Sequence, residues 1–197
     1  NLGLNVGSNV IIENNEFNGT FPNDVIVISG DNVSIYDNTF NHSSGNQTIN
    51  VSGRNGIEIY DNTANITSGA KFLAASSSQV SVHHNLIETN SGRGIEIYNQ
   101  SGGDIYNNTF ISSSGDYGVH ISNLTAPSVR NNIIQGFQNG IYDDNALANY
   151  GLAFNNFWGI SGSLFEGTNL PPLVGQMIDE NANGDPSDIY SNISLNP

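Results

Sequence analysis

An asparagine recurs along this chain at almost fixed distance, at Asn15, Asn38, Asn62, Asn85, Asn108, Asn132 and Asn156, each 23 or 24 residues from the last. Two residues after it stands Phe17, Phe40, Ala64, Ile87, Phe110, Ile134 or Trp158, and three residues before it Ile12, Ile35, Ile59, Val82, Ile105, Val129 or Ala153. Self-similarity at such a period marks a repeat architecture, in which each unit buries its apolar side only by stacking on the next. Within a unit apolar and polar residues alternate, as in residues 25–29 and 33–38, which is the two-residue period of a strand. No helical stripe interrupts the alternation. Three short strands and three turns fit into 23 or 24 residues, so one unit closes one coil. Equivalent residues then lie one strand spacing apart, about 4.8 Å.

The fold expected from this pattern is all-β: a parallel β-helix solenoid of about seven coils of 23–24 residues with a stacked Asn ladder. It should be right-handed, since parallel crossover connections overwhelmingly are. In the ladder each side-chain amide donates to the asparagine on one side and accepts from the one on the other, which satisfies groups that a turn would otherwise leave without partners. Each rung contributes about 1 kcal/mol net. The stacked Ile, Phe and Val columns contribute more, at about 25 cal/mol per Å² buried. Coils are expected over 1–158, and an irregular, loop-rich tail over 159–197, with Pro171 and Pro172, folding back across the last coil.

The repeat with its inward asparagine resembles that of the right-handed parallel β-helix (pectin-lyase-like) superfamily over about residues 5–160. That superfamily includes pectate lyases, polygalacturonases, alginate lyases and epimerases, and many secreted proteins of unassigned function. The resemblance implies a fold and not an activity. The segment from NANGD (181–185) to SLNP (194–197) is similar to tails that follow the last coil in large secreted bacterial β-helix proteins, in which the chain continues past the final Asn-Pro. Together with a start inside a repeat at Asn1, this points to a piece of a longer precursor, extracellular or at a cell surface.

Composition narrows the partners. Four Lys and Arg stand against 18 Asp and Glu, for a net charge of −14. Phosphate binding needs clustered cations, so nucleic acid is not an expected partner. Cysteine is absent, so no disulfide framework exists, and no apolar run is long enough for a membrane span. Ten Asn-x-Ser/Thr triplets, beginning at Asn18, Asn32, Asn41, Asn46, Asn50, Asn65, Asn99, Asn107, Asn123 and Asn192, read either as the Asn, Ser and Thr of β-helix turns or as glycosylation acceptors.

Aligning the coils gives two outward columns. In the first strands alternation sends Val25, Val27, Ile49, Val51, Phe72, Ala74, Ile95, Ile97, Val119 and Ile121 inward. Ile26, Ile28, Asn50, Ser52, Leu73, Ala75, Glu96, Tyr98, His120, Ser122, Tyr142 and Asp144 then face outward. The second strands present Glu13, Tyr36, Tyr60, His83, Tyr106, Arg130 and Phe154. Stacked tyrosines stabilise a sheet. Tyr36, Tyr60, Tyr98, Tyr106, His120 and Tyr142 are also the candidate ligand-binding residues, because exposed aromatics with polar tips suit sugar rings or another protein surface. Gly-, Ser- and Asn-rich turns at 41–48, 89–94, 112–118 and 145–151 are expected to flank one face as loops, with room for a groove.

Three constellations carry candidate chemistry. Arg93, Glu96, Tyr117, His120, Tyr142 and Asp144 are the catalytic candidates. A lyase or epimerase acting on a uronic acid needs a cation for the carboxylate, a base for the adjacent proton and an acid for the leaving oxygen, parts that Arg93, His120 and Tyr117 or Tyr142 fit. Against this, a −14 surface repels a polyanion. Of the polygalacturonase motifs only Asp143 and Asp144 offer an echo, and DYGVHI (116–121) matches only the first two residues of the epimerase strand. Asp179, Asn181, Asn183, Asp185 and Asp188, with Gly184 in sixth position, resemble a calcium loop, although Tyr190 stands where a bidentate Glu belongs; the other reading is an acidic turn. His83 and His84, as neighbours on a strand, face opposite ways and grip one metal only if the turn brings them round; the other reading is a stacked or turn-capping histidine pair.

The function expected is a non-catalytic structural or recognition module, making contact with a polysaccharide or glycan or with copies of itself end to end through an uncovered N-terminal edge. No cofactor is required, calcium being the one candidate. The alternative is a polysaccharide-active enzyme, a uronic-acid lyase, epimerase or glycoside hydrolase, using the outward face near Glu96 and His120.

Overall fold

The fold is seen in a computed structural model, which describes residues 3–99, 103–122, 128–143 and 151–167. Strands follow one another around a tube and pair in parallel with their counterparts one coil away, giving three sheets of eight, seven and seven strands. The first sheet runs from Leu4–Val6 through Ile26–Ile28, Gln47–Ser52, Lys71–Ser76, Ile95–Tyr98, Tyr117–Ser122 and Asn139–Asp143 to Phe165–Gly167. The second contains the strands that end just before the ladder, such as Val33–Tyr36 and Val80–His83, and the third those that follow it, such as Thr39–Ser44 and Leu86–Thr89. Beyond Trp158 the chain adds one further strand to the first sheet, where Ile141 pairs with Phe165 and Tyr142 with Glu166. Of the tail, residues 168–197 lie outside the described residues, as does the whole calcium-loop candidate from Asp179 to Asp188.

The ladder is continuous. Asn15, Asn38, Asn62, Asn85, Asn108 and Asn132 each donate from Nδ2 to Oδ1 of the next rung at 3.0–3.2 Å. The same oxygen also accepts the rung's backbone N–H, and Nδ2 further donates to carbonyls of its own coil and the preceding one, as Asn85 does to His83 and Ile59. Every rung from Asn38 onward is buried. The residue before each rung, from Asn14 and Asp37 to Asn131 and Phe154, takes a positive φ of 52–58°, so each coil turns through the same left-handed corner.

The last rung is Asn155 and not Asn156, since Asn132 pairs with Asn155. The segment FNNFW fits two alignments, and burial selects between them. The observed one puts Leu152 and Phe157 inside, while Trp158 stays 41 % exposed. It also moves Phe154 out of the second-sheet column into the corner, and Ala153 takes its place opposite Arg130.

The first sheet differs from expectation at two strands. Ile26 and Ile28 point inward, in register with Ile49 and Val51, and Val27 faces out. Leu73 and Ala75 likewise point inward beside Ile95 and Ile97, with Ala74 on the outer side. Both strands are apolar on both faces, so alternation carries no signal there and the neighbouring coils set the register. Inside the tube large residues meet small ones. Gly94, Gly118 and Gly140 stack in register where a Cβ would press on Phe110, Ile134 and Phe157 of the third sheet. Where that column instead holds Phe72, it packs edge-on to Phe40 at 6.1 Å. Large residues thus meet small ones across the tube without a regular repeat of side chains.

Candidate functional site

Three outer surfaces, one per sheet, carry features beyond packing. On the first sheet the register sets Ala74, Glu96, His120, Tyr142 and Glu166 in one outward row. Lys71 and Arg93, two of the chain's four cations, come from the corner at the start of the same strands. Both converge on Glu96: Lys71 forms an ion pair with Oε2, and Arg93 Nη1 lies 2.6 Å from Oε1. The other edge of the Arg93 guanidinium donates to Asp116 Oδ2 from Nε at 3.3 Å and Nη2 at 3.0 Å. His120 Nδ1 completes the cluster, 2.9 Å from Arg93 Nη1 and 3.2 Å from Glu96 Oε1, while its Nε2 is buried without a hydrogen-bond partner among the described residues.

Burial alone would push the Glu96 carboxyl up, but His120, Lys71 and Arg93 outweigh it and hold it at about 2. The aromatic part of the cluster is equally close. Tyr117 sits under the Arg93 guanidinium at 5.3 Å, and the rings of Tyr117, His120 and Tyr142 lie 4.8–5.6 Å apart. Tyr117 Oη donates to Glu166 Oε2 at 3.4 Å.

Of the six catalytic candidates the structure therefore brings together Arg93, Glu96, Tyr117, His120 and Tyr142. Asp144 lies outside the described residues. Lys71, Asp116 and Glu166 belong to the same cluster and went unrecognised in the sequence. Lys71, Arg93 and Asp116 stand 22 and 23 residues apart, close to the repeat spacing, which was a usable signal. Glu166 falls past the last recognisable unit and gave none.

On the second sheet Tyr36, Tyr60, His83 and Tyr106 form one stack, with ring centroids 4.7–5.0 Å apart and planes within 17° of parallel. The Arg130 guanidinium closes one end over Tyr106 at 5.0 Å. At the other end the Glu13 carboxylate hydrogen-bonds Tyr36 and pushes its hydroxyl up to about 12. The stack covers the ring faces, so this column offers a ligand edges and hydroxyls. Tyr98 stands apart from it, on the outer side of the first sheet in register with Ser76 and Ser122.

The histidine pair is stacked and turn-capping, with His83 inside the ring stack and His84 at the corner that brings the two round. His84 takes φ 57°, which swings its ring to the side of His83, and their Nδ1 atoms stand 2.9 Å apart. Burial, then the neighbouring His84, holds His83 below its usual value.

On the third sheet a furrow runs along the tube near the strand ends. Its middle hollow, about 380 Å³, is lined by residues 65–67, 88–90 and 111–113. Asn65 and Thr67 are shared with a second hollow of about 380 Å³ towards Gly19 and Thr20, and Ser112 and Ser113 with a third of about 510 Å³ towards Gln138 and Ser161. The lining mixes amide, hydroxyl and glycine groups with the apolar sides of Ile66 and Ile111 and with His42, and Glu88 is its one acid. The furrow meets the expected loop turns at 41–48, 89–94 and 112–118 only at their first residues, and 145–150 lie outside the described residues.

With three parallel sheets and an inward ladder in place, the family is decided by residues 2–134, which match the profile described as "right handed beta helix region". The chain belongs to the right-handed β-helix family. No curated protein and no solved structure matches it. Membership in the right-handed β-helix family accounts for the ladder and the tube but assigns no reaction. Among the described residues no helix is long and apolar enough to cross a membrane.

Proposed function

We propose that this chain is a rigid, extracellular recognition module without chemistry of its own, and that it holds an uncharged, linear glycan along the third-sheet furrow. The observation that carries the reading is the furrow itself. It crosses successive coils, is open along its length and sets amides and hydroxyls, which hydrogen-bond neutral sugars, beside the apolar sides of Ile66 and Ile111, which suit the C–H faces of sugar rings. Its partners recur at about the strand spacing, so an extended polymer meets similar donors at each step. A surface of net charge −14 disfavours polyuronates.

The first-sheet cluster supports the non-catalytic part. A carboxyl held at about 2 is a weak general base near neutral pH. Arg93, the cation that a uronate would need, already contacts two carboxylates. The convergence of Arg93, His120, Tyr117 and Tyr142 is the one observation that favours a lyase or epimerase instead.

Affinity electrophoresis and calorimetry against neutral glucans, xylans and mannans, beside pectate and alginate, test the proposal. Saturable binding to a neutral polymer is expected, weakened at least tenfold in Asn90→Ala/Gln138→Ala. Binding that this double variant leaves intact, or product release from any polymer, overturns it.

A further inference from the structure

The left-handed corner before the ladder is occupied by Asn or Asp in most coils, which tolerate a positive φ through their short side chains. In the fourth coil it holds His84, next to a His83 that is wedged between Tyr60 and Tyr106 at 5.0 and 4.7 Å. The two imidazoles stand at 90° to each other with Nδ1 atoms 2.9 Å apart. We propose that His83 and His84 form a binding site for a tetragonal divalent transition-metal ion, Cu²⁺ above all.

The separation of the nitrogens argues for this geometry. At metal–nitrogen bonds of about 2.0–2.1 Å, two nitrogens 2.9 Å apart subtend about 90° at the ion. That is the angle between adjacent ligands of a square-planar or tetragonal centre, which Cu(II) and Ni(II) favour, whereas a tetrahedral Zn²⁺ needs the nitrogens about 3.3 Å apart. Head-on, the pair shares one proton, which one Nδ1 donates to the other. Metal binding moves that proton, by exchange through solvent, from His84 Nδ1 to Nε2 of the same ring, so both imidazoles stay neutral, and a small swing of the exposed His84 ring aims both lone pairs at a common point.

The surroundings suit such an ion. His83 cannot tilt between its two stacked rings, so half of the site is held in place before binding. His84 Nε2 lies 3.1 Å from the side-chain amide of Asn107. With the His84 proton moved to Nε2 and the Asn107 amide turned over, the amide oxygen accepts it, the outer hydrogen bond that metal-ligating histidines normally make. The carboxylates of Asp61 and Glu58 are near enough to act on His83 electrostatically and lower the cost of a dication. Among the described residues no group of three or more His, Asp or Glu is arranged around a metal, so water completes the coordination.

The test is a Cu²⁺ titration of the whole chain, followed by electron paramagnetic resonance and by quenching of tyrosine fluorescence, since Tyr60 and Tyr106 flank His83. Two variants keep the local fold. His84→Asn matches Asn107 and Asn131 at the same corner, and His83→Tyr continues the stacked tyrosines. The expected result is one saturable site with a tetragonal spectrum and coupling to two ring nitrogens, weakened at least tenfold in each variant. A spectrum without nitrogen coupling, affinity unchanged in either variant, or no saturable binding by the wild-type chain leaves only a hydrogen-bonded pair and overturns the site.

Discussion

The side-chain oxygen of Asn108 accepts two hydrogen bonds from Asn85, one from its Nδ2 at 3.0 Å and one from its backbone N–H at 3.1 Å. Asn85 stands in the same relation to Asn62 on its other side. Asn85→Leu therefore removes the acceptor of two donors below and the donor to Asn108, Ile59 and His83. We expect a loss of about 2–4 kcal/mol, more than one ordinary hydrogen bond, because buried groups on both sides lose partners. Urea titration beside Ser34→Ala on the outer face of the second sheet checks this; equal, small effects would contradict it.

Phe154 occupies the corner that other coils give to Asn, Asp or His, at φ 58° and 50 % exposed. A bulky residue there is an outlier, and little burial offsets the strain. Phe154→Asn is expected to stabilise the chain by about 0.5–1 kcal/mol. A lower urea midpoint for the variant would show that the ring makes a contact worth more than the strain.

Acid should weaken the fold in two stages. His42 is 3 % exposed, and burial pushes it from 6.5 down to about 4. Its folded pKa is depressed, so the unfolded chain takes up the proton first. The contribution is present above pH 6.5 and is lost as pH falls towards 4, at most about 3 kcal/mol. Glu96, held at about 2 against an ordinary 4.5, adds its own loss between those values. Melting temperature against pH for wild type and His42→Leu separates them: between pH 6.5 and 4.5 the variant should fall less than wild type, keeping only the share of His83, which burial also holds below its usual value, and below 4.5 both should decline.

A methyl group at Gly140 would stand 2.6 Å from Phe157 Cε1 and press on the carbonyl of Leu164, whereas nothing lies within 4 Å of one at Gly7. Gly140→Ala is expected to cost about 1–3 kcal/mol by overpacking, and Gly7→Ala almost nothing. Similar denaturation midpoints for the two would remove the size-matching account of the core.

The ladder and the second- and third-sheet columns were legible in the sequence because an inward Asn and an inward Ile or Phe recur at one period. Legibility failed where the chain offers two equivalent alignments. Residues 25–28 and 72–75 are apolar on both faces, and Asn155 and Asn156 are identical neighbours, so only burial across coils decides. The cluster of Arg93, Glu96, Tyr117, His120 and Tyr142 was visible for the same reason as the ladder: outward residues one coil apart become neighbours. Lys71 and Asp116 were not, since Lys71 opens a strand that is apolar on both faces and Asp116 lies just before one, so neither falls in the outward column that alternation defines. The approach of His84 to His83 depends on a backbone φ, which alternation does not encode.

The one-coil translation that stacks Asn15 through Asn155 also fixes how such a molecule changes size. Height along the rod comes in whole steps of about 4.8 Å, each requiring 23 or 24 residues. Inserting or deleting a complete unit leaves both neighbouring rungs matched, while a change of one or two residues within a strand throws every later contact out of phase. Length is quantised, and any surface stripe on this rod, polar furrow or ring stack, grows or shrinks only by whole coils.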